Sequence, residues 1–373
     1  MITPNYPKEK SVKIAITGLG NSGKTTIFNA LTGLNLETTS YATVATEPHT
    51  GVVKVPDARI ERLVGIYRPK KTTYAAVEYV DYMGLTKGDM DQNRKVFDLI
   101  RDADAVVHVI RCFQDEGIVH PLGNIDPKRD AETVELEMIY GDLELVDKRL
   151  ERMEQGLKRG KKPDEAEKKL LLKCKEALEA ERPLRAVAFT DDEQKAMSHL
   201  QFMSIKPEVV LLNVGESAIN ADATASLVTA IKGLFKGDQV TVMSLCGKIE
   251  MEIAQMPGDD AAAFLEDLGI KEPALNKLIN VSYQLLGLIS FLTSGEDEVR
   301  AWTIRKGMNA QKAAGRIHSD IERGFIRAEV VSYDDFIGHG GSMSAARDKG
   351  LLRLEGKTYE VRDGDIINFR FNV

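Results

Sequence analysis

Eight residues near the start of the chain, Gly18-Leu19-Gly20-Asn21-Ser22-Gly23-Lys24-Thr25, follow the pattern GxxxxGK[ST]. No other feature restricts the fold as strongly, because the pattern is meaningful only between a strand and a helix. Both flanks are present: a short apolar run, Val12 to Thr17, precedes it, and a segment of helical character, Thr26 to Leu31, follows. In that setting the glycines let successive backbone N–H groups turn inward around a phosphate, and the helix N-terminus adds positive potential. The expected cradle is Gly18, Asn21, Ser22, Gly23, Lys24, Thr25 and Thr26. Lys24 is expected to reach the β- and γ-phosphates and assist their transfer, and the Thr25 hydroxyl to ligate Mg²⁺.

The strand signal returns at Ala76 to Asp81, Ala105 to Ile110, Val209 to Leu212 and Val240 to Met243. Short apolar strands separated by helices predict an α/β domain with a mostly parallel sheet covered on both faces. The pattern is interrupted from Leu136 onward. Apolar residues there fall at Leu136, Ile139, Leu143, Val146, Leu150, Met153 and Leu157, the alternating 3-4 spacing of a coiled-coil seam. Gly156, Gly160 and Pro163 are expected to break this helix, and a second runs from Asp164 to Ala180. The reading is an antiparallel helical hairpin inserted over 128–205. Its tip is basic: residues 148–175 hold 11 Lys or Arg against 5 Asp or Glu. Such a tip is either a solvated helical face or a docking surface for an RNA or an acidic protein. From residue 288 the texture becomes short strand-like pieces between glycine turns, with one helix expected from Asn309 to Glu322, a compact α+β module.

Composition narrows the function classes. A net charge of −7 excludes a wholly basic nucleic-acid coat, and no DNA partner is expected. Cys112, Cys174 and Cys246 share no CxxC or metal-ligand spacing, which fits small core residues in a reducing compartment. No signal peptide is evident and no apolar run of about 18 residues occurs, so a cytoplasmic protein without a membrane partner is expected.

A Mg²⁺-bound triphosphate also needs an acidic group at a strand end. Asp81 opens Asp81-Tyr82-Met83-Gly84 after an apolar run, where it would hold a metal-bound water while the Gly84 N–H meets the γ-phosphate. Asn213-Val214-Gly215-Glu216 follows the fourth run and is the expected base-reading segment. GTP-selective proteins carry Asp where Glu216 stands; the extra methylene moves the carboxylate, so selection for guanine weakens and ATP is expected to bind at least as well. Ser244-Leu245-Cys246 occupies the place of the loop behind the base.

These motifs together resemble the YchF-type members of the Obg-related P-loop GTPases. The carriers include the phosphate loop with Asn21, Glu47-Pro48, Gly51 to Val53, Asp81 to Lys87, His108 to Phe113, Asn213 to Glu216, Val299 to Ile304, Gly324 to Glu329 and Asp363 to Asp365. The resemblance implies a G domain over 1–127 and 206–287, the helical insertion at 128–205, and a ubiquitin-like TGS domain at 288–373. It also implies ATP and GTP hydrolysis and association with the ribosome or its RNA. Asn21 further suggests a K⁺ ligand, since several related GTPases use an asparagine there. Two departures stand out. The threonine expected to give Mg²⁺ a second hydroxyl falls on Ala45, leaving Thr46, or Thr43, as the replacement. The glycine-rich stretch of the second switch is shortened to Gly88-Asp89-Met90-Asp91-Gln92-Asn93.

The group that orients the attacking water is missing. Many GTPases place a Gln after the DxxG turn; Leu85 stands there, and its side chain can neither donate nor accept a hydrogen bond. His108 lies within an apolar strand and reads as core. His120, in the polar loop Gln114 to Asn124 between Gly117 and Gly123, matches the family's loop histidine and is the expected catalytic replacement; the bland reading is a solvent-exposed loop residue. A slow nucleotide-dependent switch in translation or stress regulation is therefore the leading function. The alternative is a nucleotide-gated binding scaffold with incidental hydrolysis. A small-molecule kinase lacks the paired lid arginines it would need.

Overall fold

A computed structural model describes residues 12–37, 48–162, 164–219, 222–235, 237 and 239–372. Two compact units are present. One comprises Lys13–Gly51 with Glu78–Leu278; the other gathers residues 52–77 with 279–372.

One sheet has strands β1 (Lys13–Thr17), β4 (Ala76–Asp81), β5 (Ala105–Cys112), β6 (Glu208–Val214) and β7 (Val240–Leu245), with β2 (His49–Lys54) at the edge, in the order β2-β4-β1-β5-β6-β7; all of it lies in the first unit except residues 52–54 and 76–77. The pairings β4/β1, β1/β5, β5/β6 and β6/β7 are all parallel. Both β5 and β6 are buried nearly end to end, which explains their unbroken apolar runs. Because the strands are parallel, their carboxyl ends lie on one side. The register sets Ile16 beside Asp81, Thr17 beside His108, and Asn213 between Arg111 and Leu245. The strand order reverses at β1, and ligands of open α/β sheets bind at such a switch point.

Helix α1 (Lys24–Thr32) leaves the loop after β1. Helix α2 (Ala58–Tyr67) belongs to the second unit, and α3 (Met90–Ile100) follows β4. The hairpin is α4 (Pro127–Lys158) and α5 (Glu165–Glu179), capped at their starts by Asp126 and Asp164. Ile139 and Val146 of α4 bury against Leu170, Leu171, Cys174 and Leu178 of α5, with Leu143, Leu150 and Met153 packed alongside. Gly156 does not break α4 as expected: the helix runs on to Lys158, because a single glycine costs only about 1 kcal/mol. The shorter α6 (Asp191–Met197), α7 (Asp222–Lys232), α8 (Gly247–Gln255), α9 (Gly258–Asp267) and α10 (Ala274–Leu285) complete the helices up to residue 285.

The second unit has a mixed sheet in the order β11-β10-β12-β8-β9-β3, from β3 (Lys71–Thr73), β8 (Leu288–Thr293), β9 (Glu298–Arg305), β10 (Phe325–Ser332), β11 (Arg353–Glu355) and β12 (Asp365–Phe371). The sequence segmentation gave residues 52–77 to the G domain. The structure gathers them with the C-terminal segment, because β3 pairs β9 in parallel and Arg59 of α2 holds both Asp57 and Asp363. The single helix expected over 309–322 is two, α11 (Ala310–Ile317) and α12 (Ser319–Arg323), divided where His318 adopts an extended backbone and caps the second.

Candidate nucleotide-binding site

The phosphate loop spans the end of β1 and the first turn of α1. Gly23, at φ 92°, sits so close to Asn213 that an added Cβ would lie 2.2 Å from its Nδ2. Asn213 is buried, donates to the Ser22 carbonyl (3.0 Å) and accepts from the Gly247 N–H (2.9 Å). It therefore ties the phosphate loop to the loop after β7. Val214 is buried beside it, Ser244 and Leu245 end β7, and Cys246 precedes α8, its thiol pushed up by burial. Ser22 is buried with no hydrogen-bond partner for its Oγ among the described residues, and Thr26 is half-buried in the first turn of α1.

Lys24 is buried and donates to the Leu19 carbonyl (2.8 Å). Burial lowers its pKa to about 8, against the opposing pull of Asp81. Thr25 Oγ1 donates to Asp81 Oδ2 (2.8 Å). Asp81 is held above the ordinary carboxylate range by burial, offset in part by Lys24 and Thr25, and its Oδ1 has no hydrogen-bond partner among the described residues. The first-switch residues Thr43, Ala45 and Thr46 lie outside the described residues.

The turn after β4 folds onto the phosphate loop. The Leu85 N–H donates to the Gly18 carbonyl (2.9 Å), and Leu19 bridges Leu85 as a parallel pair. Gly84 lies against that backbone: an added Cβ would meet Gly20 N at 2.6 Å. Here it packs on the loop that it was expected to face across a phosphate. Leu85 is buried among Ala15, Leu19, Val96 and Phe97, so a core contact explains the leucine.

Three further residues have protein partners that sequence reading did not anticipate. Asn21, at φ 59°, donates from Nδ2 to the Val119 carbonyl (2.9 Å). Glu216 pairs with Lys248 (2.6 Å), both exposed. His120 was expected on a mobile or exposed loop. It is buried and shares a small cleft with Leu19, Gly20 and Ser22, its Nε2 2.9 Å from Asp130 Oδ2. The loop folds inward because Asn21 holds Val119, and because Arg111 donates to the Phe113 and Asp115 carbonyls and stacks on the Phe113 ring. His108 is core, as read, and is paired with Glu208 (3.0 Å).

Known proteins match the chain along nearly all of its length. A family model described as "50S ribosome-binding GTPase" matches residues 13–142, and one for the C-terminal domain of YchF GTPases, described as "Protein of unknown function (DUF933)", matches residues 288–372. The chain is 44% identical to the ribosome-binding ATPase YchF of Bacillus subtilis over 96% of its own length and 98% of that protein's. The chain belongs to the YchF family. The ribosome-binding ATPase YchF of Escherichia coli O157:H7 is 38% identical over 97% of this chain and 99% of the relative. The solved YchF GTPase of Schizosaccharomyces pombe superposes with a TM-score of 0.79 at 28% identity, covering 98% of this chain and 99% of that one. The family's fold accounts for both sheets described above. Among the described residues no helix is long and apolar enough to cross a membrane, and no group of three or more His, Cys, Asp or Glu residues could hold a metal.

Proposed function

We propose that this chain is a slow Mg²⁺-dependent nucleotide hydrolase, favouring ATP, that works as a switch on the ribosome in the cytoplasm. The observation that carries the reading is the meeting of Lys24, Thr25 and Asp81 at the carboxyl ends of β1 and β4. The names of the Bacillus and Escherichia relatives support the same activity and partner. Lys24 binds the terminal phosphates. Its lowered pKa reflects burial outweighing the pull of Asp81, and the negative charge of a triphosphate would offset that burial. Thr25 and Asp81 hold Mg²⁺, with Thr46 as the further hydroxyl. The fit rests on Asp81 Oδ1, which has no hydrogen-bond partner among the described residues, and on a donor set among those residues too small for a cage, which suits an ion that arrives on phosphates. When bound, the ion neutralises charge between the β- and γ-phosphates. Gly18, Asn21, Ser22, Gly23 and Thr26 complete the cradle. Asn213, Val214, Glu216 and the Ser244–Cys246 turn surround the base, and Gly84 turns to the γ-phosphate once the switch opens. Asn21 Oδ1 is the group that K⁺ would use.

The basic hairpin tip docks on ribosomal RNA. Lys158, Arg159, Lys161 and Lys162 are exposed around the turn between α4 and α5. Reversing these four charges is expected to weaken ribosome co-sedimentation, most strongly at low salt, and to leave nucleotide affinity unchanged. Unaltered co-sedimentation would move the docking site away from the hairpin.

A second reading, a nucleotide-gated scaffold with incidental hydrolysis, is favoured by one observation: Leu85 is core and His120 is engaged elsewhere. Single-turnover ATP hydrolysis with and without ribosomes separates the two. A rate at the uncatalysed level under both conditions would select the scaffold.

A further inference from the structure

The partners of His120 define its chemistry. The Leu122 backbone N–H donates to its Nδ1 (3.1 Å). A backbone amide can only donate, so Nδ1 carries a lone pair and the ring proton sits on Nε2, which donates to Asp130 Oδ2 (2.9 Å). Both side chains are only 4% exposed. Asp130 is held in turn by Arg129, whose Nε and Nη2 donate to Oδ1 (3.0 and 2.7 Å), while its Nη1 donates to Asn124 Oδ1 (2.7 Å). Asn21 fastens the same loop to the phosphate loop through the Val119 carbonyl. If the imidazole leaves, Arg129 remains on the carboxylate, so the anion is not stranded.

We propose that Asp130 is a positioning residue that latches His120 in a resting state. It stores the imidazole as the neutral Nε2–H tautomer, turned under the phosphate loop, and so sets how often the ring is free to orient water. The inference rests on the reading of His120 as the water-orienting group. With both nitrogens filled, the ring has no hydrogen bond to offer an attacking water. Release from Asp130 must come first, and no proton changes hands in that step. The residues missing from the sequence-based site, Asp130 and Arg129, thereby acquire a role in the rate.

The test compares Asp130→Ala, which removes the acceptor, with Asp130→Asn, which keeps a neutral acceptor of the same size. For ATP hydrolysis, Asp130→Ala is expected to raise kcat about tenfold, the worth of one hydrogen bond to a charged group, at unchanged KM. Asp130→Asn falls between it and wild type. The rise disappears in an Asp130→Ala, His120→Ala double variant. In protein labelled with ¹⁵N-histidine, the His120 ring reports one tautomer in wild type and a mixture in Asp130→Ala. A kcat in Asp130→Ala that falls toward that of His120→Ala would overturn the latch, because Asp130 would then be supporting the working ring. A rise that survives the loss of His120 overturns it equally. If His120→Ala hydrolyses at the wild-type rate, the catalytic reading of His120 fails and the latch with it. If His120→Ala is slow yet neither Asp130 variant is faster than wild type, only the latch fails. Should Asp130→Ala not fold, Asp130→Asn carries both the kinetic and the spectroscopic readouts.

Discussion

Replacing Asn213 by alanine is expected to loosen the phosphate loop, by an amount that its two hydrogen bonds determine. The side chain donates to the Ser22 carbonyl at 3.0 Å and accepts from the Gly247 N–H at 2.9 Å, both within the interior. Alanine removes both bonds and leaves a backbone acceptor and a backbone donor without partners. Each bond contributes about 1 kcal/mol net, and each stranded group costs about 1–3 kcal/mol unless water reaches it. The combined loss is about 2–4 kcal/mol. For a unit of this size each kcal/mol moves Tm by about 2–4 °C, so calorimetry on nucleotide-free protein should find Tm lowered by roughly 4–16 °C. Affinity for Mg-ATP, measured by titration calorimetry, should fall at least about tenfold, because the ligand must then order a loop that Asn213 otherwise holds. Asn213→Asp is the informative control. It keeps the acceptor for Gly247 but sets a carboxylate oxygen against the Ser22 carbonyl, so it should be no more stable than alanine at neutral pH. A Tm within about 2 °C of wild type together with an ATP affinity within about twofold would refute the reasoning.

Lys24→Met should abolish triphosphate binding yet stabilise the nucleotide-free protein. The lysine pKa is lowered to about 8 by burial, against about 10.4 in the unfolded chain, so the charged form costs roughly 3 kcal/mol at pH 7. The unfolded chain binds the proton more tightly. Wild-type stability therefore rises from about pH 8 to about pH 10.4 and the advantage of the methionine variant shrinks over that window; a constant Tm difference in melts at pH 7 and pH 10 would contradict this. Glu216→Asp should shift the ATP/GTP affinity ratio toward GTP. Lys248→Ala, by freeing Glu216 from its 2.6 Å partner, should shift it by less, since exposed ion pairs are worth at most about 1 kcal/mol; equal ratios in all three proteins would remove Glu216 from base reading. Gly84→Ala places a Cβ 2.6 Å from the Gly20 nitrogen, so the turn must move and the Leu85 amide should exchange hydrogen faster. Unchanged exchange at Leu85 would mean that the turn does not pack there in solution.

Much of the first unit was legible because its information is local. Strands β5 and β6 are buried on both sides and read as continuous apolar runs. The phosphate loop declares itself within eight residues, and the hairpin through a repeated spacing. What escaped reading depends on partners distant in sequence. Lys71-Thr72-Thr73 has no apolar signature and becomes β3 only by pairing with Glu298-Val299-Arg300. Lys248 meets Glu216 because β6 and β7 are in register at Asn213 and Leu245. The loop around His120 looked polar and free. It is drawn in by Asn21, 98 residues earlier than the Val119 carbonyl that it holds.

These misses share one physical cause, and it bears on how the site works. Five side chains that sequence reading aimed at a ligand hold protein partners, Lys24 with Leu19, Thr25 with Asp81, Asn21 with Val119, Glu216 with Lys248 and His120 with Asp130, whereas Ser22 Oγ and Asp81 Oδ1 have none among the described residues. Gly84 lies on Gly20, where a γ-phosphate contact would require the turn to lift. Under the proposed function, nucleotide binding is then an exchange of internal hydrogen bonds for bonds to phosphate, metal and base. Exchanges of this kind yield small net free energies from large opposing terms. Affinity is reduced by whatever fraction of the protein remains in the self-satisfied state. A partner that favours the opened state would raise nucleotide affinity and, by linkage, be held more tightly when nucleotide is present. The internal hydrogen bonds that nucleotide has to displace would thus also be the means by which a docking partner controls the site.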